Sequence, residues 1–453
     1  MKKKTSFTPG WRETPPSPGP YRSMFKWGDP NTWKHPNSGL YRVIKECFGL
    51  TDEDFSYYRN SGDKKVELSG QTAPGIPAEH VTYFTDLLGS ENVSLDAYER
   101  VFYSYGKSME EAKELREGRQ HHIADAVLHP KSVKQVEQIV SYCSAFHIPL
   151  IPFGWGSTVN LGVSAPKGGV VLVLKTHLNK VVKVNEMNKT ATVQAGISGS
   201  ELEQALNHAA QLFGTRRNYT NGHFPQSFEY SSVGGWIVTC GAGQESSYYG
   251  DAIDLVLSQT WVTPKGTFTT DRFPASATGP KIDDLMKGSE GTFGILVEVV
   301  LKIFYHQPNT KYPFGYIFPS WEQAKEAVRE ISQGEFGLPG VFRLSDPEET
   351  GIGLKLYHIE GTALDTIMKV LGYKEGQRCL LLARSCGEQG FAKHVRRKAG
   401  RICRSHKGLP LTGYPVRKWD KSRYLDPYKR EVSDDFVITI DTMETRLTWD
   451  SLE

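Results

Sequence analysis

The segment Pro152-Phe-Gly-Trp-Gly-Ser-Thr-Val-Asn-Leu-Gly162 places three glycines and two hydroxyl side chains directly after a strand-like stretch. Glycine lets a backbone come close to a bound group, and successive N–H groups of such a loop form a nest for an anion. Ser157 and Thr158 add hydroxyl donors. The chemistry on offer is the cradling of a phosphate or pyrophosphate. The spacing is neither G-x-G-x-x-G nor the Walker pattern ending in Lys-Ser/Thr, so a Rossmann fold or P-loop is not expected. Alone, the loop reads equally well as a plain glycine-rich turn.

Three further segments shift that balance. Gln226 to Trp236 packs hydroxyls and glycines ahead of an apolar stretch, Thr239 to Gly250 is rich in small residues, and Gly288 to Ile295 returns to glycine just before a strand. Four such loops cost folding entropy unless something needs backbone close by. A long ligand with phosphates and a flat ring fits that need.

Other residues admit two readings each. His121 and His122 are adjacent and point to opposite faces of an extended segment, which favours structural or surface roles over metal ligation. No metal is expected. His223, in Gly-His-Phe-Pro, is either a turn histidine or a group reaching the site. Arg343 ends the apolar strand Val341-Phe-Arg-Leu, where an unpaired guanidinium is expensive to bury. It is either an anion-binding group or half of a salt bridge to Asp346 or Glu348. The basic helix from Lys393 to Lys407 reads as a solvated face or as a surface for an acidic membrane. The cluster from Arg417 to Tyr424 reads as solvated or as substrate-contacting.

The elements that must position these residues follow from periodicity. Ser132 and Gln135 form a capping box ahead of Val133, Val136, Ile139, Val140, Cys143 and Phe146 at helical spacing. Strands are expected at 148–152 and 170–174, and a hairpin from Lys180 to Gln194. Ser198 and Glu201 cap a helix striped by Leu202, Ala205, Leu206, Ala209 and Phe213, which Gly214 ends. From about 306 strands and helices alternate: a strand at 315–318, a helix capped by Ser320 and Gln323, then strands at 340–344 and 379–383. A basic helix spans 391–403. This is a ferredoxin-like pattern. The fold class is α+β, with residues 1–117 an N-terminal helical and irregular extension, 118–305 a ligand-binding domain of two α+β subdomains, and 306–453 a cap domain.

Bulk properties narrow the class. A 453-residue chain suits two or three domains, and a net charge of +3 argues against nucleic acid. The longest purely aliphatic run, Val170 to Leu174, is too short to span a bilayer. The basic start Met1–Lys4 is followed by polar, Pro-rich sequence and lacks the apolar stretch of a signal peptide. Six scattered cysteines without a C-x-x-C pair point to ordinary buried residues in a reducing cytoplasm.

Together, His121-His-Ile-Ala-Asp, the Pro152 loop, Gly222-His-Phe-Pro-Gln-Ser, Ser232-Val-Gly-Gly-Trp, Tyr249-Gly-Asp, Gly279-Pro and Gly288-Ser-Glu-Gly-Thr resemble the FAD-binding domain of the vanillyl-alcohol oxidase flavoprotein family. Within it the chain is similar to the alkyldihydroxyacetonephosphate synthase branch and its bacterial FAD-linked oxidase relatives. The resemblance is strong from Gly118 to Leu301 and thinner to Trp449. It implies a PCMH-type FAD-binding domain followed by a substrate-binding cap. It assigns the pyrophosphate to Pro152, Gly154, Trp155 and Gly156, with Ser157, Thr158 and Val159 nearest. Gln226, Ser227, Ser231 and Ser232 would line the diphosphate and ribityl chain. Thr239, Gly241, Ala242 and Gly243, with Glu290, Gly291, Gly294 and Ile295, would clasp the remainder. Some members bind flavin through a histidine in the pyrophosphate loop; this loop has Trp155 and no histidine, so non-covalent FAD is implied.

In the synthase branch flavin acts without net redox while a fatty alcohol replaces the acyl group of acyl dihydroxyacetone phosphate. In the oxidase branch it accepts a hydride from a 2-hydroxy acid or alcohol. Either way the expected substrate is a small molecule or lipid with an anionic group. Arg343, by the resemblance, is at the substrate site; a peripheral membrane contact and a homodimer are the further partner expectations. The family's catalytic tyrosine, His-rich loop and closing cofactor stretch have no counterpart before Glu453. A flavin-binding remnant with weak or absent turnover, and a cap sheet without its last strands, is therefore the third expectation.

Overall fold

The run Val170–Val173 (β4) is buried along its whole length, as the centre of a parallel arrangement requires. In the computed structural model, which describes residues 9–10, 19–29, 32, 34–59, 61–68 and 72–452, it pairs in parallel with Ala126–Leu128 (β2) and Leu150–Phe153 (β3). Val93–Ser94 (β1) adds antiparallel to β2, and the order is β1-β2-β4-β3. The basic start Met1–Lys4 lies outside the described residues.

The helix Val133–Ala145 connects β2 to β3 and turns Val136, Ile139, Val140 and Cys143 inward. Ser132 caps it by accepting from the Gln135 N–H, but the Gln135 side chain accepts from the Lys131 N–H rather than from Ser132. The expected box is thus displaced by one residue.

A second sheet is wholly antiparallel. The hairpin Val181–Asn185 (β5) and Thr190–Gln194 (β6) forms where the period-two alternation predicts it. With Val256–Thr263 (β8), Gly266–Thr269 (β9) and Ile295–Lys302 (β10) the order is β5-β6-β10-β8-β9. Tyr219–Thr220 (β7) and Phe304–Tyr305 (β11) form a separate pair. Ser198 and Glu201 make a full capping box on the helix Gly199–Asn207. The single helix predicted through Phe213 breaks at His208, whose Nδ1 lies 2.8 Å from the Gln204 carbonyl. That ring competes for the acceptor that continues the helix.

These elements lie in one compact unit, the described parts of Pro15–Pro30 and Ser61–His306. Its upstream helices Ala97–Ser104 and Met109–Arg116 bury Val101, Ala112 and Leu115 with Tyr21 and Met24.

The other unit comprises the described parts of Met1–Thr14, Asn31–Asn60 and Gln307–Glu453. Tyr312–Phe318 (β12), Val341–Ser345 (β13), Cys379–Ser385 (β14) and Leu409–Leu411 (β15) form an antiparallel sheet ordered β13-β14-β12-β15. The helix Trp321–Gln333 joins β12 to β13, and Gln389–Ser405 joins β14 to β15. This order and these crossovers make the split βαβ of a ferredoxin-like sheet. Phe314, Tyr316, Phe318, Leu381 and Ala383 pack beneath Ala324, Ala327, Ile331, Ala399 and Cys403 of the two helices. Residues before 118 are thus shared between both units, and those from Asn31 to Asn60 contribute Tyr41, Ile44 and Phe55 to a small core with Val432 and Phe436. Among the described residues no helix is long and apolar enough to cross a membrane.

Candidate cofactor site

The glycine loops converge because each removes a side chain where another loop must pass. The loop after β3 is the first wall. A Cβ on Gly154 would overlap the Ser232 hydroxyl, and one on Gly291 would stand 2.5 Å from Cγ of Pro152. Gly156 (φ +68°) turns the chain over the Phe153 ring, which a Cβ would strike. The 288–295 loop hangs from the end of the Gln226–Val238 stretch: Gly288 N–H donates to the Ile237 carbonyl and Glu290 N–H to that of Val238. Gly294 closes in on the Val262 carbonyl, which a Cβ would approach to 2.6 Å, just before Ile295 enters β10 opposite Val262. Three non-glycine residues of these loops, Leu161, Cys240 and Glu290, also hold positive φ. Each costs on the order of 1–3 kcal/mol, and such outliers gather where a binding geometry is held by its surroundings.

The predicted side chains divide by what already holds them. Ser231 donates to the Ser227 carbonyl (2.8 Å) and accepts from the Trp236 indole (2.6 Å), so its hydroxyl braces the loop. Ser232 accepts from the Gly235 N–H and begins the short helix Val233–Val238. Gln226 accepts from Gln244 Nε2 at 2.7 Å, tying the second segment to the third. Thr239 is exposed and donates to the Gly235 carbonyl; Gly241 and Gly243 donate to the Trp236 carbonyl and Ser246 hydroxyl, with Ala242 exposed between them. Ser157 and Thr158 are half-buried and Val159 stands out at the loop tip. Trp155 is fixed by its indole N–H, which donates to the Gly196 carbonyl at 3.0 Å.

His223 lies beneath this surface, 2% exposed, with its ring 4.7 Å from that of Trp236. Its N–H is anchored on Asn221 Oδ1, and Asn221 is held in turn by Glu203. Neither ring nitrogen has a partner among the described residues. Burial pushes its pKa down to about 4, so the imidazole is neutral near pH 7. A built Cβ on Gly243 would lie 3.2 Å from its Nδ1; the small-residue loop is what covers it.

One neighbour was not read from sequence. The Lys175 ammonium stands 5.1–5.6 Å from the centres of four rings, Phe102, Tyr103, Phe153 and Trp155. Burial lowers its pKa to about 8. It puts a cation against the rings of the Pro152 loop. The available signal was a lysine directly following a fully buried aliphatic strand.

Arg343, in the other unit, differs from expectation. It lies mid-way along the edge strand β13, is exposed, and pairs with Glu349 rather than Asp346 or Glu348. The edge strand lets the guanidinium reach solvent, so no burial cost arises. His121 exchanges backbone bonds with the Tyr105 hydroxyl, and the His122 Nδ1 meets Ser164 Oγ at 3.1 Å. Among the described residues no three His, Cys, Asp or Glu side chains gather as a metal set.

Comparison with known proteins bears on what the loops hold. Residues 124–271 match the FAD binding domain family. The alkyldihydroxyacetonephosphate synthase of Dictyostelium discoideum is 29% identical over 369 residues, 79% of this chain and 59% of that protein. A glycolate oxidase subunit of Bacillus subtilis (strain 168) is 27% identical over 245 residues, 54% of this chain and 48% of that protein. A solved alkyldihydroxyacetonephosphate synthase superposes with a TM-score of 0.78 at 26% identity, covering 91% of this chain and 79% of that one. The chain thus spans about half to three fifths of these two curated relatives. The converging glycine loops and the matched domain fit FAD as the cofactor. The chain thus carries an FAD binding domain over residues 124–271 and is similar, over most of its length, to alkyldihydroxyacetonephosphate synthases.

Proposed function

We propose that residues 152–162, 226–243 and 290–295 hold FAD without a covalent bond, and that the protein works on an alkyldihydroxyacetonephosphate synthase-like reaction. In that reaction the acyl group of acyl dihydroxyacetone phosphate is exchanged for a fatty alcohol. The observation that carries this reading is the convergence of the glycine loops: Gly154 against Ser232 and Gly291 against Pro152 bring their backbones together with no space for side chains. Likeness to the Dictyostelium synthase over most of the chain supports this reaction class. When bound, FAD supplies a ring that takes up or returns an electron pair at the substrate carbon. The chain's own residues do the rest. Backbone N–H groups of the loops hold the pyrophosphate, Ser157 and Thr158 add hydroxyls, and neutral His223 offers one donor and one acceptor to whatever replaces its missing partners.

Trp155 has no nucleophilic atom and its N–H is engaged. Acid precipitation of the purified protein should therefore release all flavin into the supernatant, as absorbance near the flavin bands will show. Yellow colour retained in the pellet would overturn non-covalent binding.

The proposed role of Arg343 is to bind the substrate's phosphate. Its pairing with Glu349 is half-exposed and contributes under about 1 kcal/mol. Arg343→Gln should raise KM for the phosphorylated substrate about tenfold, with melting unchanged. Equal KM values would remove the residue from the site.

The glycolate oxidase likeness favours one second reading, hydride transfer from a 2-hydroxy acid. Incorporation of labelled fatty alcohol into an ether product supports the first, and dye-linked oxidation of glycolate or lactate the second. Silence in both overturns the catalytic reading and leaves flavin binding alone. A lipid substrate brings with it the expectations of a cytoplasmic protein working at a membrane face, and of a homodimer. Flotation with lipid vesicles and light scattering test these.

A further inference from the structure

The helix Gln389–Ser405 contains six Lys or Arg residues and no Asp or Glu. Five of its positions, Lys393, Arg396, Arg397, Gly400 and Arg404, fall on one stripe and form one wall of a cleft of about 400 Å³. The other wall is the sheet, through Phe314, Tyr316, Pro410 and Leu411 of β12 and the edge strand β15.

Three observations set this stripe apart from an ordinary solvated face. The first is repulsion. Like charges three and four residues apart destabilise a helix, each pair by a few tenths of a kcal/mol, and 393/396/397 and 397/401/404 repeat that spacing. The second is the lack of compensation. Among the described residues none of the four cations lining the cleft makes an ion pair; the carboxylate that senses Lys393 is Glu388, at the helix start. Neighbouring charges are treated otherwise: His406 meets Glu330, Arg329 meets Glu326, and in the basic segment after Arg417, Asp420 pairs with Arg384 and Arg423. The third is shape. Gly400 leaves the helix bare where the Tyr316 hydroxyl, 5% exposed as a residue, reaches its carbonyl, and Arg404 Nη1 donates to the same hydroxyl at 3.0 Å. One arginine is thus fixed in place at the cleft wall.

We infer that this cleft binds a soluble anion bearing two or more phosphate groups, at residues none of which belongs to the cofactor loops. Arginine forks suit phosphate oxygens in bidentate pairs. The cleft's size suits a small molecule, and Phe314, Pro410 and Leu411 give it an apolar wall for a non-phosphate part. A concave site favours a small ligand over a flat membrane. Occupation would also relieve the repulsion along the helix.

The test uses the full chain saturated with FAD, so that the flavin loops are filled, and inorganic tripolyphosphate as probe at about 0.15 M ionic strength. Calorimetry should show binding near one per chain, and the protein should melt higher with probe than with sodium chloride of equal ionic strength. Arg396→Gln/Arg397→Gln should weaken binding at least about tenfold. Both side chains are exposed, and the variant should melt without probe no lower than the parent. Arg404→Gln gives an independent second variant. Absence of binding by the parent, or equal binding by parent and both variants, overturns the site. Binding to phosphatidylserine vesicles with none to tripolyphosphate overturns it in favour of a membrane surface.

Discussion

Gly291→Ala should lower the affinity for FAD about a hundredfold, or about 3 kcal/mol, in a protein that still folds. Two independent penalties meet at this position. Its φ of +87° is open to glycine and costs an L-residue on the order of 1–2 kcal/mol. The added Cβ would also stand 2.5 Å from Cγ of Pro152, an atom of a ring that cannot rotate aside. The 288–295 loop must therefore part from the Pro152 loop, and a pyrophosphate cradle widened by even half an ångström loses the hydrogen-bond distances on which it depends. Gly118→Ala separates the two effects. That residue has φ +72° with nothing within 4 Å of a built Cβ, and it lies outside the loops. It should share the backbone strain and leave FAD affinity within about threefold. Quenching of FAD fluorescence on titration gives both constants, and melting without flavin gives both stabilities. If Gly291→Ala binds FAD like the parent, or Gly118→Ala loses it equally, contact between these two loops does not shape the site.

Legibility of the fold followed how local each signal was. The β5–β6 hairpin and the Ser198 capping box depend on residues a few positions apart, and both form where the pattern places them. The alternation after residue 306 likewise gave the ferredoxin-like sheet, since two βα units have few ways to share one antiparallel sheet. Arg343 departs from expectation for the opposite reason. Its apolar neighbours suggested burial, but β13 is an edge strand, and edge or centre is decided by strand order, not by flanking residues. The break at His208 depended on one side-chain ring meeting one carbonyl, which helical periodicity does not register. Of the four glycine-rich segments, 152–162 and 288–295 form loops as expected, whereas 226–236 and 239–250 run into the short helices Val233–Val238 and Ser246–Tyr249. That Gly154 abuts Ser232, 78 positions on, or that Lys175 sits among four rings, is a property of packing and has no one-dimensional trace. The division of the first 117 residues between two units is similar, because their short helices carry no long periodic pattern.

Acid should destabilise this protein through His223, by about 2–3 kcal/mol at pH 4.5. Burial lowers the folded-state pKa from 6.5 to about 4, so the unfolded chain binds the proton more tightly. The stability this histidine contributes is fully present above pH 6.5 and is lost as pH falls toward 4. A tenfold difference in proton affinity between the two states is worth about 1.4 kcal/mol, and most of the interval has been crossed by pH 4.5. The residue is 2% exposed, so solvent screens little of this cost. Carboxylates titrate in the same range, and a difference between two proteins is needed to isolate the imidazole. His223→Phe keeps a ring against Trp236 and removes two buried nitrogens that have no partner among the described residues. Urea unfolding of the flavin-free parent and variant at pH 7 and pH 4.5 should show the parent losing about 2–3 kcal/mol more than the variant. At pH 7 the variant should be at least as stable, since replacing unsatisfied polar atoms by carbon is neutral or favourable. The same variant probes function. If His223 donates a hydrogen bond to bound flavin or substrate, His223→Phe will weaken FAD binding or slow turnover despite its stability. If both are unchanged while the acid sensitivity disappears, the imidazole is a packed core ring and its proposed place in the site falls.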